Sequence, residues 1–167
     1  MARGFAAAFV AVVLDQVTKY LVLDYFREPG CGGHSVTVNS FLDVVITCNR
    51  GVSFGMFNRG HEFSALVFSL AAAAIVMVLI YWLSRVRSSY LAVAIGLIIG
   101  GAIGNVIDRL RLGGVVDFLY FHVGSWYWPA FNLADSAICI GVVAMLLDGV
   151  LGHREVGQAK GREDLLP

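Results

Sequence analysis

Phe63–Leu83 is a run of 21 residues without a charge. Such a run is long enough to cross the hydrocarbon of a bilayer, which takes about 20 apolar residues. Three further runs, roughly 4–24, 89–110 and 129–149, meet the same length. Inside a bilayer the backbone must satisfy its own hydrogen bonds, so all four are expected to be helices. The chain is 58% hydrophobic and 14% charged, where a soluble domain carries about 25% charged residues. The expected fold class is therefore an all-α membrane protein, a bundle of four transmembrane helices. It forms one membrane domain over 1–152, followed by a polar cytoplasmic tail over 153–167. The formal net charge of zero gives no reason to expect nucleic acid as a partner.

The first run has the look of a signal peptide, with Arg3 before the apolar stretch Phe5–Leu14. Asp15-Gln16-Val17-Thr18-Lys19 follows with no small-x-small cleavage pattern, and apolar character resumes at Tyr20-Leu21-Val22-Leu23. It reads as one retained span interrupted by polar residues. Loop charges set the orientation. Arg85 and Arg87 lie in the short loop between spans two and three, Arg3 at the start, and Arg154, Lys160 and Arg162 in the tail. Both termini and that loop are then cytoplasmic. Arg27, Arg50 and Arg59 on the other side belong to a longer segment, where the rule is weaker.

Residues 27–60 form that segment. Val36, Val38, Phe41, Val44, Val45 and Ile46, with Gly32-Gly33 and Asn39-Ser40 as turn signals, read as a small β-rich extracytoplasmic element. The connection 111–128 opens with Gly113-Gly114 and closes with Trp126-Tyr127-Trp128-Pro129. The aromatic cluster suits the membrane interface, and Pro129 reads as the start of the fourth helix. Asp117 then falls in a short loop. Asp135 lies six residues into the helix, about 9 Å at 1.5 Å per residue. Cys31 and Cys48 share the polar segment and have the option of a disulfide, two free thiols being the simpler reading. Cys139 reads as a small core residue.

With this topology the unusual polar groups gather near one leaflet. Asp15 and Lys19 are i,i+4 on one helix face; Asn105 and Asp108, like Asn132 and Asp135, are i,i+3. A carboxylate at a helix centre costs roughly 2.5–3.5 kcal/mol on insertion scales and less toward the ends. Two of them, Asp117 and Asp135, beside apolar runs at one membrane face point to chemistry. A carboxylate pair sharing one proton is the working part of an aspartic protease.

Structural readings compete at each position. Asp15–Lys19 reads first as a structural ion pair, and Asp108–Arg109 as a snorkelling interfacial pair or a loop support. Gly96, Gly100 and Gly104 form a small-residue stripe for helix contact. Asp148 sits at the opposite end of span four and reads as a solvated helix end. His34, His61, His122 and His153 show no ligand spacing, so neither a metal nor another cofactor is expected. Ser53 and Ser136 have no basic partner at readable spacing. For Asp117 and Asp135 the structural reading is helix capping or a salt bridge to Arg109 or Lys19. A proton-coupled small membrane transporter would also use paired intramembrane carboxylates, although the chain lacks repeated halves. A membrane chaperone or assembly factor would keep them as salt bridges.

Five segments carry a family resemblance: Asp15-Gln16-Val17-Thr18-Lys19; Asn49-Arg50-Gly51-Val52-Ser53-Phe54-Gly55; Gly100 through Arg109; Gly114-Val115-Val116-Asp117-Phe118; and Phe131-Asn132-Leu133-Ala134-Asp135. In this order, over nearly the whole of a four-span chain, they closely resemble the bacterial lipoprotein signal peptidases (signal peptidase II). Cys31, Cys48 and the polar tail stand outside the matching pattern. The resemblance implies a four-helix membrane protease with a small extracytoplasmic β-cradle. It implies removal of signal peptides from prolipoproteins already carrying diacylglycerol on the cysteine that becomes the new N-terminus. Asp117 and Asp135 would be the catalytic dyad. Asn49, Gly51, Asn105, Arg109, Asn132, Asp15, Lys19 and Asp108 would bind substrate or support the site. The implied location is the bacterial cytoplasmic (inner) membrane, with the site near the outer leaflet. Membrane lipid and the lipidated signal peptide are the implied partners, and globomycin-type cyclic peptides the implied inhibitors.

Overall fold

The computed structural model describes residues 1–29, 32–50 and 61–163, with side chains omitted for 61–64 and 151–163. Cys31, Gly51, Ser53, Gly55 and Arg59 lie outside the described residues, as do the side chains of His61, His153, Arg154, Lys160 and Arg162. Four long helices occur: α1 (Ala2–Phe26), α2 (His61–Arg85), α3 (Ser89–Leu112) and α4 (Leu133–Glu163). All four contain a stretch long and apolar enough to span a membrane, Leu133–Val150 in α4. The chain is a multi-pass membrane protein.

α3 is the hub. Of its apolar span 56% is buried, against 22% or less for the other three, because α1, α2 and α4 all pack on it. Small residues permit the close approach. A Cβ on Gly96 would run into the Gly4 carbonyl, one on Gly100 into the Ala8 carbonyl, and one on Gly101 into the Ala134 carbonyl. The stripe read from sequence therefore faces α1, and Gly101 sets the approach of α4. Leu83, Ala92, Ile95 and Ile99 fill the core between the helices. Apolar side chains on the outer faces, such as Phe9, Leu70, Met77 and Leu146, remain exposed, as expected where lipid is the solvent.

The helix ends have local causes. Ser88 caps α3 by accepting the Leu91 N–H at 3.3 Å. Gly113 ends it with φ of 71°, a left-handed conformation that glycine adopts without a Cβ penalty. The chain can then turn directly into a strand.

That strand departs from the expected all-α fold with β-structure confined to 27–60. β1 (Ser35–Asn39) and β2 (Leu42–Asn49) match the expected element, but the sheet continues through β3 (Val115–Val123) and β4 (Trp126–Tyr127). It is antiparallel, in the order β1-β2-β3-β4. Asp117 is thus a strand residue opposite Thr47 on β2, not a loop residue. The fourth helix also starts later than Pro129. Phe131 exchanges backbone hydrogen bonds with Leu119, at 2.8 and 3.0 Å. This holds the chain extended until Asn132, so Asp135 lies in the first turn of α4 rather than six residues into a helix. Cys48 is disulfide-bonded and Cys139 is free and exposed. For Cys48 this replaces the simpler free-thiol reading.

Candidate active site

The polar residues of α1, α3, β3 and the start of α4 form one connected cluster. Its base is the Lys19 ammonium, 3% exposed, which lies 2.8 Å from Asp15 Oδ2, 2.7 Å from Asp108 Oδ2 and 3.4 Å from Asn105 Oδ1. Three donors thus meet three acceptors. The Asp15–Lys19 ion pair read from sequence is present. Asp108 is not a snorkelling partner of Arg109; it is buried and joins the same triad.

Each acid of the triad also holds a piece of backbone. Asp15 Oδ1 accepts the Ala134 N–H at 3.0 Å, which fixes the N-terminus of α4. Asp108 Oδ2 accepts the Val116 N–H at 3.1 Å, one residue before Asp117. Gln16 spans the two acids: its Nε2 lies 3.2 Å from Asp15 Oδ2 and 3.0 Å from Asp108 Oδ1. Gln16 lies in the first of the five sequence segments, between the two members of the Asp15–Lys19 pair. Its i,i+3 spacing from Lys19 was the available signal.

Above the triad, Asn132 links the two carboxylates of interest. Its Nδ2 donates to Asp117 Oδ1 at 2.7 Å. Its Oδ1 accepts the Asp135 N–H at 2.9 Å, while its own N–H donates to Asp135 Oδ2 at 3.3 Å. This reciprocal pattern is a capping box at the N-terminus of α4. The capping reading of Asp135 is therefore realised. Its other oxygen, Oδ1, accepts from Asn105 Nδ2 at 2.8 Å. Asn105 Oδ1 in turn accepts from Asn132 Nδ2 at 3.3 Å. Arg109 Nη1 donates to the Asn105 carbonyl at 3.3 Å, and its guanidinium lies over the Phe68 ring. No salt bridge from Arg109 or Lys19 to Asp117 or Asp135 occurs among the described residues.

Asp117 is 2% exposed but lines a cavity of about 770 Å³ with Thr47, Asn49, Arg50, Asp43 and Tyr120. Burial and the nearby Asp135 charge push its carboxyl up to about 6, while hydrogen bonds from Asn49 and Asn132 hold it down. The folded protein then keeps this proton to about pH 6, whereas an unfolded chain releases it near 4. Stability should fall as pH rises across that window and level off above it. Asp117→Asn removes the titration. Its melting point in detergent should exceed the parent's at pH 7, by about 1–3 kcal/mol of stability. The gap should close toward pH 4, and a gap that does not narrow would contradict this electrostatic account.

The chain as a whole has known relatives. Residues 7–151 match the family described as Signal peptidase (SPase) II. The chain belongs to the signal peptidase II family. A lipoprotein signal peptidase of Rhodopseudomonas palustris (strain TIE-1) is 45% identical over 154 residues, covering 89% of this chain and 92% of that one. One from Janthinobacterium sp. (strain Marseille) is 41% identical over 156 residues, covering 93% and 89%. In three dimensions the chain resembles a bacterial membrane enzyme solved in meso at 1.9 Å. The TM-score is 0.74 at 31% identity, covering 88% of this chain and 92% of that one. A second such structure, at 2.3 Å, gives a TM-score of 0.71 at 29% identity, covering 90% and 88%. As a family member this chain is a peptidase; in its polar cluster Asp117 is buried and Asp135 partly buried.

Proposed function

We propose that this chain is an intramembrane aspartic endopeptidase that removes the signal peptide from diacylglyceryl-modified prolipoproteins, cutting before the lipidated cysteine. The observation that carries this is the Asn132 bridge: one side chain joins Asp117, which lines the cavity, to Asp135. The family relationship supplies the substrate class, and gives a proton-coupled transporter no support.

In the proposed reaction the two carboxyl groups share one proton and hold a water. The ionised member takes a proton from the water as its oxygen attacks the scissile carbonyl carbon. The protonated member donates to the carbonyl oxygen, giving a neutral tetrahedral diol. A proton then passes to the leaving nitrogen, the C–N bond breaks, and the acid and base roles are restored. Neither residue is assigned the acid or the base role. Asn105 and Asn132 orient the carboxylates, while Asn49 and Arg109 supply donors that an extended peptide within a bilayer would otherwise lack.

In the same reading the protein sits in the cytoplasmic membrane with both termini inside and the dyad near the outer leaflet. The scissile bond at the end of an apolar helix and the acyl chains then reach it from within the bilayer. Globomycin-type cyclic peptides would compete for this site. The test is a gel-shift assay of purified protein in detergent with EDTA present. A diacylglyceryl-modified prolipoprotein should be cleaved before its lipidated cysteine. Failure to cleave it, with the protein folded, would remove the proposed activity.

A further inference from the structure

The cavity that contains Asp117 extends along the sheet to a second acid that the chemistry above does not use. Asp43 on β2 stands opposite Tyr120 on β3, three residues beyond Asp117. At about 3.3 Å per residue that separation is roughly 10 Å. Asp43 lines both the main cavity and a neighbouring one of about 250 Å³ formed with His122, Trp126 and Tyr127. Its Oδ2 lies 3.4 Å from His122 Nε2, and its side chain is 21% exposed. Asp43 Oδ1 and His122 Nε2 are covered yet make no hydrogen bond among the described residues. Such under-used polar groups cost stability unless something else engages them.

The direction of the groove matters. β3 leaves the helix bundle at Val115, just after α3 ends. Tyr120 and His122, with Asp43 across from Tyr120, therefore lie farther along the sheet from the end of α3 than Asp117 does. An apolar signal segment belongs beside the helices, so the polypeptide following the scissile bond is the part that would run outward along the sheet. An extended chain covers 10 Å in about three residues. Glu28, the acid beside the cavity-lining His34, is already paired with it at 2.6 Å.

On this geometry, and resting on the peptidase reading above, we propose that Asp43 is a specificity-determining residue, braced by His122, that receives a basic or donor side chain about three residues after the scissile bond. Acidic side chains at that place in the substrate are disfavoured by like charge.

The test uses the full-length protein in detergent and lipidated peptides differing only at the third residue after the cut: Lys, Gln or Glu. The parent protein should show a kcat/KM for Lys about fivefold or more above that for Glu, the scale of a partly exposed charge pair. Asp43→Asn should bring the ratio close to one, and Asp43→Lys should invert it. The ratio is internal to each preparation, so a variant that is partly unfolded still reports it. A parent without preference, or a preference unchanged by Asp43→Asn, overturns the proposal while leaving the peptidase reading intact. A parent that cleaves none of the three peptides brings down both.

Discussion

Asp117→Asn and Asp135→Asn are each expected to lower kcat/KM on lipidated prolipoprotein by at least about a hundredfold to ten-thousandfold, the usual weight of a positioned acid or base. The loss should fall on kcat, because proton transfer acts on the transition state while the groove still binds peptide. The two variants should differ in stability, which separates chemistry from misfolding. Asn at 117 keeps an oxygen to accept from Asn132 Nδ2 and removes a carboxylate whose charge the site disfavours. It should be inactive and more stable near pH 7. Asp135 uses both oxygens, one for the Asn132 N–H and one for Asn105 Nδ2. An amide can accept only one of these, so Asp135→Asn should cost about 1 kcal/mol and still be inactive. Substantial turnover in either folded variant would move the chemistry elsewhere. Inactivity that tracks melting point would favour the capping role of Asp135 as its main one.

The legible part of the fold was the part written in long-range composition. Four apolar runs announce four spans, since a bilayer tolerates few other backbones. The β1–β2 element was legible because Val36 to Ile46 combines β-branched residues with turn signals. β3 was missed although Val115–Val123 is equally rich in β-branched and aromatic residues. Its place between two spans, ending near an aromatic belt, gives it the look of a loop. The start of α4 was misplaced for a tertiary reason: Pro129 is a fair helix starter, but the Leu119–Phe131 bridge keeps the chain extended past it. Among the site residues, the spacings within one helix revealed Asp15–Lys19 and Asn132–Asp135. The cross-links that define the cluster, Lys19–Asp108 and Asn132–Asp117, join residues far apart in sequence. No local spacing encodes them, and the five-segment resemblance supplied the candidates instead. Asp43 and His122 had neither signal, since only the strand register brings them together.

Lys19→Met should be the most destabilising single substitution in the cluster, by about 3–5 kcal/mol, the usual result of removing one partner from a buried ion pair. Asp15 and Asp108 would then face each other with only Gln16 between them. At roughly 2–4 °C per kcal/mol for a chain of this size, the melting point in detergent should fall by about 10 °C. Activity should fall as well, for a reason distinct from the dyad. Asp15 holds the Ala134 N–H beside Asp135, and Asp108 holds the Val116 N–H beside Asp117. Without Lys19 the two backbones that carry the proposed catalytic carboxylates lose their common tether, and misplacement by 1 Å is enough to cost about a hundredfold. The loss should therefore be partial and should ease on cooling, whereas Asp117→Asn stays inactive at every temperature. Adding Asp15→Asn to Lys19→Met removes one of the two facing acids while keeping an oxygen for Ala134 N–H, and should recover part of the lost stability. If Lys19→Met melts within a degree or two of the parent and cleaves normally, the triad is not what positions the dyad, and the Asn132–Asn105 network must do so alone.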